Sequence, residues 1–541
     1  MDSYREKIDA YIDGKKEEML EDLKTLVRIN SQKGTAEEGK PFGAGPAAAV
    51  AAAQELMQNY GLAVRNYENY VVTGDLFATS ADAASDDRAS AETGCISGEE
   101  KGLDILAHLD VVPVTEDWTV TQPFEPKVVD GRIYGRGTSD DKGPAIAALY
   151  ALRAIRELGI PMKKGVRLVL GSDEECGSSD LAYYYGIEKE APYTFTPDAE
   201  FPVINIEKGR LAASFHGEFS DGRSETKSEG ITAPGNEGTL RNMQISPRVL
   251  RLKSGDKANV VPGRAVLELA GLEEAAVRFA AEETAKETGV VFEISSFPET
   301  IKADDSRIGT DSVSQTGEAA GNIFKIDARG AAAHASTPQE GKNALTASLR
   351  LVSKLFGGLF RETGLDAGTA ALLALERLFP YEDTCGRTAG VYREDANSGA
   401  VTLCFSVLDY TPGHLSGTFD ARLPIGCTEE NTRQPLMEAL AAAGLEMEDA
   451  PMSKPHCVPG DSEFVKILLD SYERYFGVKG EPLSTGGGTY VHGLERGVAF
   501  GCGTPDVDNH MHGDDEFMVI DTLVMSAKIF ADAAIRICNE L

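Results

Sequence analysis

The sequence predicts an α/β protein of two domains, the second inserted into the first. Three observations carry this. Between Asp104 and Glu200, apolar runs of strand length end repeatedly in acidic or imidazole side chains, with helical periodicities between them. From about Lys208 to Ala450, strand-like and helical runs alternate without a further acidic cluster, and the first pattern then resumes. A chain of 541 residues is also too long for one ordinary domain and apolar enough for two cores. The expected division is residues 1–207 with 451–541 as the main domain, and 208–450 as the insert.

Taken in order, residues 3–28 predict a helix, because Ile8, Tyr11, Ile12, Met19, Leu20, Leu23 and Leu26 recur at helical intervals. A second helix spans Ala47 to Leu62 and is closed by Gly61, and RNYENYVV leads into a strand. The stretch ATSADAASDDRASAETGCISGEEKG is small and polar and predicts a surface insert. DILAHLDVVP alternates as a strand, which puts His108 and Asp110 on one face, where a carboxylate can orient an imidazole. VVDGRIY is a hairpin with its turn at Asp130–Gly131. In IYGRGTSDDKGP, Gly135 and Gly137 permit a sharp turn before Asp140 and Asp141, and Pro144 suits the first turn of the helix that follows. GVRLVLGSDEECG and YTFTPDAEFP place Glu174, Glu175 and Asp198 just past strand ends. Ligands of open α/β sheets sit at the carboxyl ends of strands, so these acids should share one crevice.

The insert has three landmarks: NVVPG at Asn259–Gly263, ARGAAAHASTPQEGKNA with a helix from Pro338, and GTFDARLP at Gly417–Pro424. Two polar loops, DGRSETKSEGITAPGNEG and KADDSRIGTDSVSQTGEAAGN, interrupt it. The main domain resumes near Pro455 with the helix EFVKILLDSYERYF, then LSTGGGTYVHG and GVAFGCGTPDVDNHMHGDDEF, and ends in a helix over about Thr522–Asn539. Gly486–Gly488 permit close backbone approach, to a ligand or in a tight turn.

Composition narrows the function. A formal net charge of −33 argues against nucleic acid, whose phosphates need a basic face. Eight cysteines without CxxC spacing, and an N-terminal stretch lacking the apolar core of a signal peptide, point to a reducing cytoplasm. No apolar run is long enough to span a bilayer, so no membrane partner is expected. So many carboxylates in one crevice would repel one another, and they call for a multivalent cation. Imidazole with carboxylate suits zinc, manganese or cobalt. Asp140, with two oxygens on a short stem, could bridge two ions roughly 3.5–4 Å apart. The late segment offers a second imidazole, from His510 or His512.

The ordered motifs HLDVVP, GRGTSDDKGP, DEECG and PDAEFP resemble the di-zinc aminoacylase, carboxypeptidase and dipeptidase family that includes acetylornithine deacetylase and succinyl-diaminopimelate desuccinylase. PFGAG, NYENY and TPDAEFPVINIEKG are similar to its bacterial dipeptidase V branch. The resemblance implies a mixed-sheet di-zinc exopeptidase catalytic domain with an inserted two-lobed α+β lid domain, working as a monomer. It selects His512, four residues before Glu516, over His510. It implies one ion on His108 and Asp198 and another on Glu175 and His512, with Asp140 joining them. Asp110 then orients His108 through its other nitrogen. Glu174 becomes the general base, His334 a donor to the tetrahedral oxyanion across a closing lid, and Asn259 and Arg422 substrate ligands. Without the resemblance, His334 fits a turn before a helix, and Asn259 and Arg422 fit ordinary strand ends. His492 departs from the pattern, since relatives commonly carry arginine there.

The implied activity is hydrolysis of unblocked dipeptides by water activated at two metals. An amidohydrolase of N-acylated amino acids could use the same groups, and a non-catalytic metal- or ligand-binding relative is the reading from another class.

Overall fold

The computed structural model describes residues 2–78, 101–219, 247–299, 321–357 and 365–541. They fall into two compact units, Met1–Glu207 with His456–Leu541, and Lys208–Pro455. The polar stretches expected as loops near 80–101, 220–238 and 302–322 lie almost wholly outside the described residues.

The first unit is built on a nine-stranded mixed sheet. Its centre is a parallel block in which Lys101–His108 lies between Gly165–Gly171 and Tyr193–Thr196, with Gly497–Ala499 parallel to the latter. Val71–Leu76 flanks the block antiparallel on one side, and Val203–Glu207 does so on the other. Both faces of the central strand are covered, as a parallel block requires. Leu103, Ile105 and Ala107 enter the main core. Leu106 points the other way, into a smaller core with Val71, Val169, Tyr184 and Tyr490. The helix Lys142–Glu157 is buried at every residue from Lys142 to Ile155 and packs against the C-terminal helix Ile520–Glu540. Each aliphatic side chain so enclosed contributes about 1.5–3 kcal/mol, so these apolar faces set the strand register.

Most elements follow their sequence patterns, and the exceptions have local causes. The N-terminal stretch is two helices, Asp2–Gly14 and Lys16–Val27, broken at Lys15 (φ −103°, ψ 3°). Gly14 gives up about 1 kcal/mol of helix propensity there. The strand carrying His108 stops at that residue, because its neighbour ends at Gly171; Asp110 lies beyond it, not on the same strand face. The hairpin at Asp130–Gly131 has both turn residues at positive φ (48° and 76°), as a type I′ turn needs.

A buried charged group braces this sheet. Arg167 is fully buried and donates to Asp75 through Nε (2.6 Å) and Nη2 (3.2 Å), and to the Tyr184 hydroxyl at 3.0 Å. Arg167→Met is expected to lower the unfolding free energy by about 3–5 kcal/mol, because it removes the charged partner of a carboxylate in the interior. Urea denaturation measures it, and a loss no larger than that of a surface pair, about 1 kcal/mol or less, would refute the bracing role.

The second unit is an eight-stranded antiparallel sheet in the order Val291–Glu299, Gly321–Arg329, Arg264–Ala270, Arg248–Ser254, Thr402–Thr411, His414–Leu423, Gly209–Glu218, Glu446–Met447. Leu211, Ala213 and Phe215 alternate into a core shared with the helices Glu274–Thr288, Ala344–Phe356, Ala367–Leu378 and Gln434–Ala442. The helix expected from Pro338 begins instead at Ala344. Pro338–Glu340 is a single 3-10 turn, Gly341 is extended, and the Asn343 side chain caps the helix by accepting from the N–H groups of Leu345 and Thr346.

Candidate metal centre

The acids and imidazoles singled out in the first unit meet at the carboxyl end of its parallel block. His108 ends its strand. Asp140 follows the Gly135–Gly137 turn, in which both glycines have positive φ (151° and 88°). Glu174 and Glu175 form a 3-10 turn after Gly165–Gly171, and Asp198 follows Tyr193–Thr196.

Asp140 sits between the two histidines. His108 Nε2 is 2.9 Å from Asp140 Oδ1, and His512 Nε2 is 2.8 Å from Asp140 Oδ2. Asp198 Oδ2 lies 3.8 Å from His108 Nε2, and Glu175 Oε1 lies 3.3 Å from His512 Nε2. Donor atoms of His108, Asp140 and Glu175 lie within 4.8 Å of one another, as do those of His108, Glu174 and Asp198. His510, the competing imidazole, is engaged elsewhere: its Nδ1 donates to the Asp514 carbonyl at 3.1 Å, and its ring packs edge-on against Phe517.

Two hydrogen bonds present His108 correctly. Its Nδ1 is 3.1 Å from the Asp110 carbonyl oxygen, which can only accept, so Nδ1 carries a proton and Nε2 faces the acids. The Asp110 carboxylate is the more distant acceptor, at 3.5 Å. Its two oxygens take the N–H groups of Glu174 and Glu175, each at 3.1 Å, so Asp110 organises the acidic turn as well as the imidazole. Asp141 accepts the His108 backbone N–H at 3.0 Å. Tyr490 packs edge-on against the His108 ring and donates to Asp180 Oδ2, which also accepts from the N–H groups of Ser172 and Asp173. A Cβ on Gly171 would stand 2.0 Å from the Tyr490 hydroxyl, which explains the glycine ending that strand.

The electrostatics show a site short of positive charge. Burial, then the nearby charge of Asp140, pushes Asp198 up to about 7. Burial also raises Glu174 and Glu175, reinforced by the neighbouring carboxylates. Burial opposes ionisation of Asp140 too, but the two imidazoles hold its carboxyl below the usual range. His512 is raised to about 11 by hydrogen bonds to Asp140 and Glu175. Imidazole nitrogens and carboxylate oxygens in this proportion fit a pair of divalent cations.

Sequence reasoning missed several supports. Asp180 and Tyr490 stand far apart in the chain, and Glu516 served only as a landmark, yet it is fully buried with Arg136. An arginine beside GTSDD and a glutamate beside HGDD were the only signals. Gly487 and Gly488 have no positive φ and no close neighbour at Cβ, and the Gly487 N–H bonds to Thr485 Oγ1, so the turn itself accounts for that run.

The second unit holds the other three residues. His334 pairs with Val260 in a short two-strand ladder, and Asn259 accepts the Ala335 N–H at 2.9 Å, so Asn259 and His334 are neighbours. His334 Nδ1 accepts from the Ser336 N–H at 3.2 Å, which leaves the proton of the neutral ring on Nε2. Arg422 is buried and donates to Asp420 Oδ1 at 2.6 Å; Asp420 also accepts from Arg210.

The mixed sheet with acids and imidazoles gathered at its strand ends defines the class, an α/β protein with a candidate metal centre. The model of peptidase family M20/M25/M40 matches residues 105–536, and the chain belongs to that family. It is similar to the Beta-Ala-Xaa dipeptidase of Lactobacillus delbrueckii subsp. lactis, with 30% identity over 534 residues, covering 98% of this chain and 97% of the relative. Its fold is similar to human carnosine dipeptidase 1, with TM-score 0.52 and 15% identity over 99% of both chains. It is also similar to the aminoacylhistidine dipeptidase of Vibrio alginolyticus, with TM-score 0.51 and 17% identity over 96% of both. No helix among the described residues is long and apolar enough to cross a membrane.

Proposed function

We propose that this chain is a metal-dependent dipeptidase that cleaves the amide bond of unblocked dipeptides. The observation that carries the reading is Asp140, whose two oxygens each face a different imidazole, at 2.9 and 2.8 Å. In this reading His108 and Asp198 would hold one divalent cation and Glu175 and His512 a second, with Asp140 placed to serve both. Such ions, zinc or else manganese or cobalt, would supply a positive field that polarises an amide carbonyl and eases proton loss from water.

The remaining work falls to the chain. Glu174, raised by burial, takes the proton from the attacking water and passes it to the leaving amine. Asp110 holds Glu174 and Glu175 by their backbone N–H groups and keeps His108 in one tautomer. His334, with its proton on Nε2, is assigned the oxyanion, where such a donor is worth about 2.7–4 kcal/mol. Asn259 and Arg422 are assigned the polar ends of the substrate, and a guanidinium suits a terminal carboxylate. Seven cysteines among the described residues are free of disulfides, which supports a reducing, cytoplasmic setting. The proposal includes a monomer, and light scattering showing an obligate dimer would contradict that part.

Chelation followed by zinc, manganese or cobalt is the direct test. Activity on a dipeptide panel should vanish with chelator and return with at least one metal. Restored hydrolysis confined to N-acetylated substrates would replace the dipeptidase reading with an amidohydrolase. No hydrolysis with any metal would leave a binding protein.

A further inference from the structure

We propose that Glu516, paired with Arg136, is a positioning residue for the metal pair: it fixes the turn carrying Asp140 against the loop carrying His512. The inference rests on the metal reading above, but it concerns a residue that is not a ligand in it.

Every acceptor site on the buried Glu516 carboxylate is occupied. Oε1 accepts from the N–H groups of Gly137 (3.1 Å), Ser139 (2.8 Å) and Asp140 (3.2 Å). Oε2 accepts from Gly137 (3.0 Å) and from Arg136 Nη1 at 2.6 Å. No lone pair remains for an ion, and Glu516 is absent from both donor groups of the cluster. The carboxylate instead gathers the backbone that delivers Asp140. The same ion pair reaches the other side, where Arg136 Nη2 donates to the carbonyl of Gly513, the residue after His512, at 2.8 Å. The Glu516 carbonyl accepts the Gly135 N–H at 3.0 Å, and Phe517–Val519 pairs antiparallel with Arg132–Tyr134. The two segments are thus joined by backbone and side chain together, directly behind the Asp140–His512 contact of 2.8 Å.

A charged hub is needed because Asp140 has to face two imidazoles at once. Bonds from a carboxylate to several N–H groups set the turn more narrowly than packing would, and supports of this kind typically alter metal affinity by about 10–100-fold when removed.

The test is zinc binding by the full-length protein, measured by equilibrium dialysis, with dipeptide turnover alongside. Wild type should hold two zinc ions. Glu516→Gln should hold the weaker of the two about 10–100-fold less tightly, and its turnover should recover in excess zinc. Arg167→Met, which breaks a different buried pair in the same sheet, should lose stability and keep both ions at wild-type affinity. The double variant Arg136→Met/Glu516→Leu removes both buried charges but leaves the N–H groups of Gly137, Ser139 and Asp140 without their acceptor, so it should hold the weaker ion no more tightly than Glu516→Gln does. Wild-type zinc affinity in the double variant, or in Glu516→Gln, would overturn the positioning role. A wild type that binds no zinc, manganese or cobalt would overturn the metal reading itself, and this inference with it.

Discussion

Glu174→Gln is expected to lower kcat by about 10²–10⁴-fold while leaving KM, fold and bound metal nearly unchanged. Glutamine has the shape of glutamate but cannot take a proton from water, so the loss isolates that step. The metal count matters as much as the rate. A Glu174 oxygen lies within 4.8 Å of donor atoms of His108 and Asp198, so this carboxylate is near enough to compete as a ligand. Glu175 lies 3.3 Å from His512, which supports assigning it, and not Glu174, to the ion that His512 would hold. A Glu174→Gln protein that loses an ion would make Glu174 a ligand; one with full turnover would remove it from the chemistry.

Asp140→Asn should be more severe, with loss of at least one bound ion and turnover reduced by more than about 10³-fold, beyond the cost of a single lost donor. The carboxylate presents one oxygen to each imidazole. Asparagine keeps one oxygen and replaces the other with an NH2 group that carries no lone pair for a cation. It also removes a carboxylate that the two flanking imidazoles hold below the usual range. Metal analysis beside steady-state kinetics measures both effects, and two tightly held ions in this variant would rule out the shared position.

What the sequence disclosed about the fold was what neighbouring residues determine. The helix Glu463–Phe476 matches its apolar pattern, and the last helix runs Ile520–Glu540 against an expected Thr522–Asn539. Asp130 and Gly131 announced a hairpin because only such residues readily take left-handed φ. Pairings between distant segments left no such mark. Nothing in GVAFGCG says that Gly497–Ala499 pairs with Tyr193–Thr196, and in PQEGKNA the Asn343 cap signal competes with a proline at 338 that equally suits a first helical turn.

The same division holds at the site. Acids and imidazoles at strand ends could be named because their chemistry is visible in their residue types. Their supports could not, since Asp110 gripping two N–H groups, or Glu516 gripping three, depends on where the backbone goes.

The interleaved sheet of the first unit has a consequence for the chain's birth. Gly497–Ala499 lies between strands that leave the ribosome some three hundred residues earlier, and His512 arrives later still. Until then the nascent polypeptide carries a gap in its central sheet and an acidic crevice without its second imidazole. Contacts at such separations form late, and unpaired strand edges invite chaperones or aggregation in the meantime. On the proposed ligand set, translation must therefore be nearly complete before any peptide can be cut, and a product terminated before His512 would be inert.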